Sequence, residues 1–237
     1  SYKMFHIIKK RLVFFLVTTM IFTMSVCFAD AMRFNGWTTL IIPGELEFQI
    51  PPTMEVQGES YKELMKLYSP ETYRGSYPEG SIKLMAQQKG LTDGLYGAKD
   101  HFVRVTVQVL TDDNEPQMPE FGKPLGLTAN DLAVYEEIVI NELKNNFKSI
   151  NALGRKIQFL GVTKHAEIVY IDGKEALHYV FNSQIDGYPI VYNDEYYFFN
   201  RNKTYRLSTK IRSTEYAYWT QSGADVRNVV RTLQPLK

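Results

Sequence analysis

The chain has 237 residues, 44% hydrophobic and 22% charged, which is long and apolar enough to bury a core and places it among globular domains rather than disordered ones. Its 27 basic residues nearly balance its 26 acidic ones, so it lacks the positive field that drives binding to a phosphate backbone, and a nucleic-acid partner is excluded on charge. One cysteine cannot build an internal disulfide framework or a multi-thiolate metal site.

Residues 1–29 carry Lys3, Lys9, Lys10 and Arg11, then an uncharged run from Leu12 to Phe28, then the small residue Ala29. Basic, apolar and small-residue regions in that order predict a secretory signal, cleaved after Ala29 or after Ala31. The run is shorter than the roughly 20 apolar residues of a membrane span; if uncleaved, it would tether the domain to a membrane. Cys27 lies inside this segment, where Val26 and Phe28 are poor neighbours for a lipidated cysteine. Removal of residues 1–29 leaves 23 basic against 26 acidic residues, a net charge of −3, and no cysteine. The expected location is extracytoplasmic: periplasmic, cell-surface or secreted. Residues 30–237 show no internal repeat or linker and read as one domain.

Trp37 to Ile42 and Leu46 to Ile50 are β-prone segments separated by Pro43-Gly44, which predicts a first hairpin ended by Pro51-Pro52. Glu59 to Leu67 has helical spacing, and Ser69-Pro70 stops it. Ser81 to Gln88 and His101 to Leu110 predict strands, the second alternating Val103, Val105, Val107 and Val109 against polar neighbours. Two loops follow the pattern breaks, Gly90 to Asp100 and Asp112 to Gly126; the acidic cluster in the second lacks the ligand spacing and glycine of a calcium loop. Leu132, Tyr135, Ile138, Val139, Leu143, Phe147 and Ile150 then fall on one helical stripe, preceded by Thr128 and Asp131 at capping-box spacing. A second stripe of Val226, Val229, Val230 and Leu233 follows Ser222 and Asp225 and stops at Pro235.

The most informative stretch runs from Lys164 to Arg212 and reads as four antiparallel strands. Asp172-Gly173 tolerates the positive φ angles of a type I′ turn, and a two-residue loop there pairs Ile171 with Lys174, Val169 with Ala176, Glu167 with His178 and His165 with Val180. The chain turns again near Asp186-Gly187 and at Arg201-Asn202, which pairs Asn200 with Lys203, Phe199 with Thr204 and Tyr197 with Arg206. Tyr196 to Phe199 put aromatics on both faces, so the sheet is expected to be covered on both sides.

The order of signal, short strands, long helix, four-strand meander and closing C-terminal helix, with Ile171-Asp172-Gly173-Lys174-Glu175-Ala176 and Asn202-Lys203-Thr204-Tyr205-Arg206-Leu207, resembles the PsbP-like family, whose fold is shared with Ran-GTPase release factors. The resemblance spans most of the chain after Trp37. It implies an α+β fold with an antiparallel sheet of about six or more strands sandwiched between helices, and a non-catalytic accessory role with an unknown protein or envelope partner. No functional residue carries over from it.

Phosphate loops, nucleophile elbows, zinc-protease helices and cofactor motifs are absent from the sequence. Two constellations remain. His165, Glu167 and His178 fall on one sheet face in the expected register, where they would either hold a metal with an open position, as in a metal-dependent hydrolase, or form an ordinary cross-strand ion pair. Tyr197, Phe199, Arg206 and Lys210 combine aromatic rings with basic groups, the composition of a binding surface or of a sheet face covered by a helix.

Overall fold

The computed structural model describes residues 31–57, 82–91, 101–113, 117–152, 154 and 156–236. The expected signal at 1–29 and helix at Glu59 to Leu67 lie outside them, as does most of the Gly90 to Asp100 loop. The described residues form an α+β fold. Its centre is a seven-stranded antiparallel sheet in the order β3 (Met54–Val56), β4 (Ile82–Gln88), β5 (Val103–Thr111), β9 (Lys203–Arg212), β8 (Val191–Asn200), β7 (Lys174–Ile185), β6 (Ile157–Ile171). A second sheet joins β1 (Thr38–Ile42), β2 (Leu46–Ile50) and the two-residue β10 (Gln234–Pro235). The β1–β2 hairpin turns through Gly44 at φ 74°, where Pro43-Gly44 predicts it. The short strand β3 was not expected after the double proline.

One face of the large sheet carries the four valines of β5 with Leu207, Ile211, Phe198 and Ala176, all buried. Phe48, Leu46, Trp219 and the C-terminal stripe of Val226, Val229, Val230 and Leu233 cover it. That stripe is wound as a 3-10 turn over Val226–Thr232, capped by Asp225 accepting from the Arg227 N–H at 3.0 Å. Three valines in seven residues lower α-helical preference, and the i, i+3 spacing of Val226, Val229 and Thr232 suits a 3-10 turn equally well. The covering layer on this face is therefore the small sheet with its 3-10 turn.

The opposite face is covered by α1 (Ala129–Asn151). Thr128 accepts from the Asp131 N–H at 3.2 Å while Asp131 accepts from the Thr128 N–H at 2.9 Å, so both orphan donors of the first turn are satisfied as the capping box predicts. Tyr135 and Val139 descend on Leu177, Tyr179, Phe181, Tyr197 and Phe199, and Leu132, Ile138, Leu143 and Phe147 pack around them. Among the described residues no helix is long and apolar enough to cross a membrane.

The two-residue turns at Asp172-Gly173 and Arg201-Asn202, the first and third of the meander, form where the sequence places them. Asp172 and Gly173 adopt φ 47° and 80°, and Ile171 pairs with Lys174, Val169 with Ala176 and Glu167 with His178. Arg201 adopts φ 55°, and Tyr197 pairs with Arg206. The register departs from expectation beyond Glu167. Three irregularities lie between Phe159 and Glu167, and the last opposes Val180 with Lys164 instead of His165. β6 is an edge strand, and bulges there twist its unpaired backbone away from further pairing.

Candidate functional site

The bulge before Glu167 decides where three of the sequence-predicted residues go. With one extra residue on β6, His165 turns toward α1, where its Nδ1 meets Glu136 Oε1 at 2.7 Å and the neighbouring Ala166 N–H donates to Glu136 Oε2 at 2.7 Å. His178 stays on the other face. The expected grouping of His165, Glu167 and His178 is thereby corrected: only Glu167 and His178 meet, with Oε1 and Nδ1 3.3 Å apart. Among the described residues no group of three or more His, Cys, Asp or Glu side chains is arranged to hold a metal ion.

In place of that triad, His178 joins a ladder across three strands. Asp194 on β8 lies opposite Val180, one same-face step from His178, and its Oδ1 sits 2.6 Å from Nε2. Lys164 closes the other end, its Nζ 2.7 Å from Glu167 Oε1. The imidazole stacks on Tyr196 with ring centres 4.2 Å apart. Both ring nitrogens thus face carboxylates from opposite edges, so the two carboxylates do not converge on one point. The Glu167 carboxyl is held below its ordinary value of 4.5, chiefly by the hydrogen bond from Lys164 and further by that from His178, with burial opposing. Burial pushes the Tyr196 phenol well up, and the charges of Asp194 and Glu167 add to this.

A depressed carboxylate contributes stability above its unfolded value and loses it as pH falls through the native one. Glu167→Gln is therefore expected to cost stability at pH 7 and to cost less at about pH 2, because the parent's Glu167 takes up its own proton as the pH falls through its depressed native range. Urea midpoints at the two pH values check this; a penalty that does not shrink on acidification contradicts the ladder. The effect is small because the pair is solvated.

Beyond Asp194 the same sheet face opens into a cleft of about 630 Å³. Its floor is Val180, Ile211 and Thr209; Tyr192 and Asp194 come from β8, Thr163 from the bulged β6, and Ser213, Thr214, Tyr216 and Ala217 from the segment after β9. Arg227 completes the rim. The wall segment is a 3-10 turn, Ser213–Glu215, followed by α2 (Tyr216–Trp219), and it is tied down at several points. Glu215 accepts from the Phe102 N–H at 3.1 Å and meets His101 Nδ1 at 2.7 Å, while Tyr218 stacks on His101 at 4.9 Å and Trp219 is buried. At its start the Ser213 N–H donates to the Ile190 carbonyl at 2.7 Å. The wall is thus braced from the beginnings of both β5 and β8.

Arg227 is fixed as firmly. Its Nε donates to Asp225 Oδ1 at 2.9 Å, its Nη1 to the Tyr216 hydroxyl at 3.0 Å, and its guanidinium lies 5.5 Å from the Tyr216 ring centre. The Asp225 carboxylate raises its already high pKa further. Tyr192 and Tyr216 meet edge to face, 5.4 Å apart at 81°.

The other sequence-predicted group, Tyr197, Phe199, Arg206 and Lys210, sits on the α1 side of the sheet. Tyr197 and Phe199 are 3% and 4% exposed, covered by Tyr135 and by Met118 and Leu125 of the segment leading into α1. Arg206 lies 5.8 Å from the Tyr197 ring centre and donates from Nε to Glu195 Oε2 at 2.8 Å. Lys210 is half-buried opposite Arg104 and Asn193. The two aromatic rings therefore belong to the covered face, whereas Tyr192 and Tyr216 line the cleft. Asn202 at the second turn position donates its side-chain amide to Asp113 Oδ1 at 2.6 Å.

Sequence reasoning did not find the cleft. Tyr192, Asp194, Tyr216 and Arg227 come from separate segments, and only the β7–β8 register joins Asp194 to His178. The loop between these strands, from Asp186 to Ile190, carries no two-residue turn from which that register is countable.

No family model and no curated protein matches the chain. Among solved structures, a protein from Bacteroides thetaiotaomicron is similar at 12% identity with a TM-score of 0.44, over 85% of this chain and 49% of that one. This chain thus spans about half of that protein. The cyanobacterial PsbP of Synechocystis is similar at 12% identity with a TM-score of 0.42, over 93% of this chain and 99% of that one.

Proposed function

We propose that this protein is an exported, non-catalytic binding module and that the cleft between β7–β9 and the Ser213–Trp219 wall is its ligand site. The observation that carries the proposal is the cleft itself. It is concave, combines apolar floor residues with several hydroxyls and one carboxylate, and is walled by a segment braced at both ends. His178 beside it has both nitrogens engaged by carboxylates. That arrangement stiffens the site and leaves no imidazole lone pair aimed at a ligand. The basic and apolar regions of residues 1–29 support export.

A screen of small polar and aromatic fragments against the isotope-labelled protein tests the proposal. Hits are expected to shift the amides of Tyr192, Thr209 and Thr214 together. Hits confined to other surfaces, or none at all, would remove the cleft as a ligand site.

A further inference from the structure

We infer that the cleft takes an organic cation, an ammonium or guanidinium group carried on an aliphatic stem; this rests on the reading of the cleft as a ligand site. The first observation is Asp194. Its Oδ1 is taken up by His178 Nε2 at 2.6 Å, which fixes the carboxylate's orientation, while Oδ2 has no hydrogen-bond partner among the described residues and the residue lines the cleft. A buttressed carboxylate with one free oxygen favours a charged donor over a neutral one, because charge-assisted hydrogen bonds are the stronger.

The second observation is aromatic. Tyr192 lines the same cleft as that carboxylate, its ring at nearly right angles to Tyr216, and ring faces attract cations. Arg227 over Tyr216 is an intramolecular instance of the same contact. Its own charge faces the paired Asp225 carboxylate and so opposes an incoming cation little. Lys164 and Glu167, next along the ladder, are paired with each other. Val180 and Ile211 then offer apolar surface for an aliphatic stem.

The shared chemistry has two sources, a free amine or the basic side chain of another protein, and the test separates them. The full chain is titrated with n-butylammonium, n-butylguanidinium, butyrate and butanol while the amides of Tyr192, Thr209 and Thr214 are followed. Both cations are expected to saturate the cleft at concentrations at least about tenfold below any effect of butyrate or butanol. Asp194→Asn is expected to weaken both cations about tenfold or more, and Tyr192→Leu, which leaves the His178 ladder intact, several-fold. Comparing 1,4-diaminobutane with an end-blocked lysine tripeptide identifies the source: tighter binding of the diamine assigns a free amine, and tighter binding of the tripeptide a protein side chain. Butyrate or butanol binding as well as the cations, or cation binding untouched by both substitutions, overturns the cation assignment while leaving the cleft a ligand site. No response to any probe overturns both.

Discussion

Replacing Glu195 by alanine is expected to destabilise the protein by about 3–5 kcal/mol, the scale for breaking a buried ion pair by removing one partner. Glu195 is fully buried in the middle of β8. One oxygen accepts from Arg206 Nε and the other from the Ser208 hydroxyl, each at 2.8 Å. The surroundings are the stacked phenols of Tyr179 and Tyr197 with Tyr135 edge-on to both, whose pKa values burial pushes above the ordinary 10, so this is a region where an uncompensated charge is expensive. Alanine removes the carboxylate and leaves the guanidinium of Arg206 in that setting. Chemical denaturation of Glu195→Ala, Arg206→Met and the double variant forms the appropriate cycle. The double variant is expected to be less destabilised than the sum of the singles, since removing both members leaves neither charge buried without the other. Additive penalties would show that the pair does not act as a unit.

Phe198→Ala is expected to cost a similar amount, about 3–5 kcal/mol, lowering the thermal midpoint by roughly 10 °C for a domain of this size. The cause is different. Phe198 has no exposed surface and stacks on Phe121 at 5.1 Å with the rings 10° from parallel. It lies on the face that packs against the small sheet and the C-terminal turn, and Phe121 belongs to the segment pinned to the meander through its N–H to Asn200 Oδ1 at 3.3 Å. Truncation leaves a cavity and frees that segment together. The same segment depends on Gly122, at φ 75°, where an added Cβ would meet Lys174 Cγ at 2.9 Å. Phe198→Leu, which keeps much of the volume, is expected to lose distinctly less. A midpoint for Phe198→Ala close to the parent's would mean that the two layers are not held by this contact.

The two positions illustrate which features were legible in the sequence. The turn at Asp172-Gly173 announces itself through residues that tolerate positive φ, whereas at Arg201-Asn202 it is Arg201 that takes φ 55°; in both a two-residue loop fixes register by counting, as Glu167–His178 and Tyr197–Arg206 show. The capping box of Thr128 and Asp131 and the stripe of α1 follow from spacing alone. What spacing does not reveal is a bulge. Nothing in Val162-Thr163-Lys164-His165-Ala166 breaks strand alternation, yet one extra residue there sends His165 to Glu136 on α1 and brings Lys164 to Glu167. The cost of that slip is local: every pair between Glu167 and Lys174 survives.

Burial is the other property that composition leaves open. Tyr197 with Arg206 reads equally as a binding surface or as a covered face, and only the packing of Tyr135 over it decides. The cleft was hidden for a related reason. Its carboxylate, aromatic rings and guanidinium are spread over more than thirty positions, from Tyr192 to Arg227, and meet because the chain leaves β9 through a 3-10 turn and returns under the small sheet. Each looks ordinary in its own segment. Asp225 in particular reads as a helix-capping residue, and it does cap, while also holding the Arg227 guanidinium that lies against Tyr216.

The most direct test of the cleft as the ligand site is a crystal structure of the full chain soaked with n-butylguanidinium. The guanidinium is expected within hydrogen-bonding distance of Asp194 Oδ2, against Tyr192 or Tyr216, with the butyl stem toward Val180 and Ile211. A cleft that the protein's own side chains fill, or a ligand that binds elsewhere while Asp194 turns away, would contradict the account.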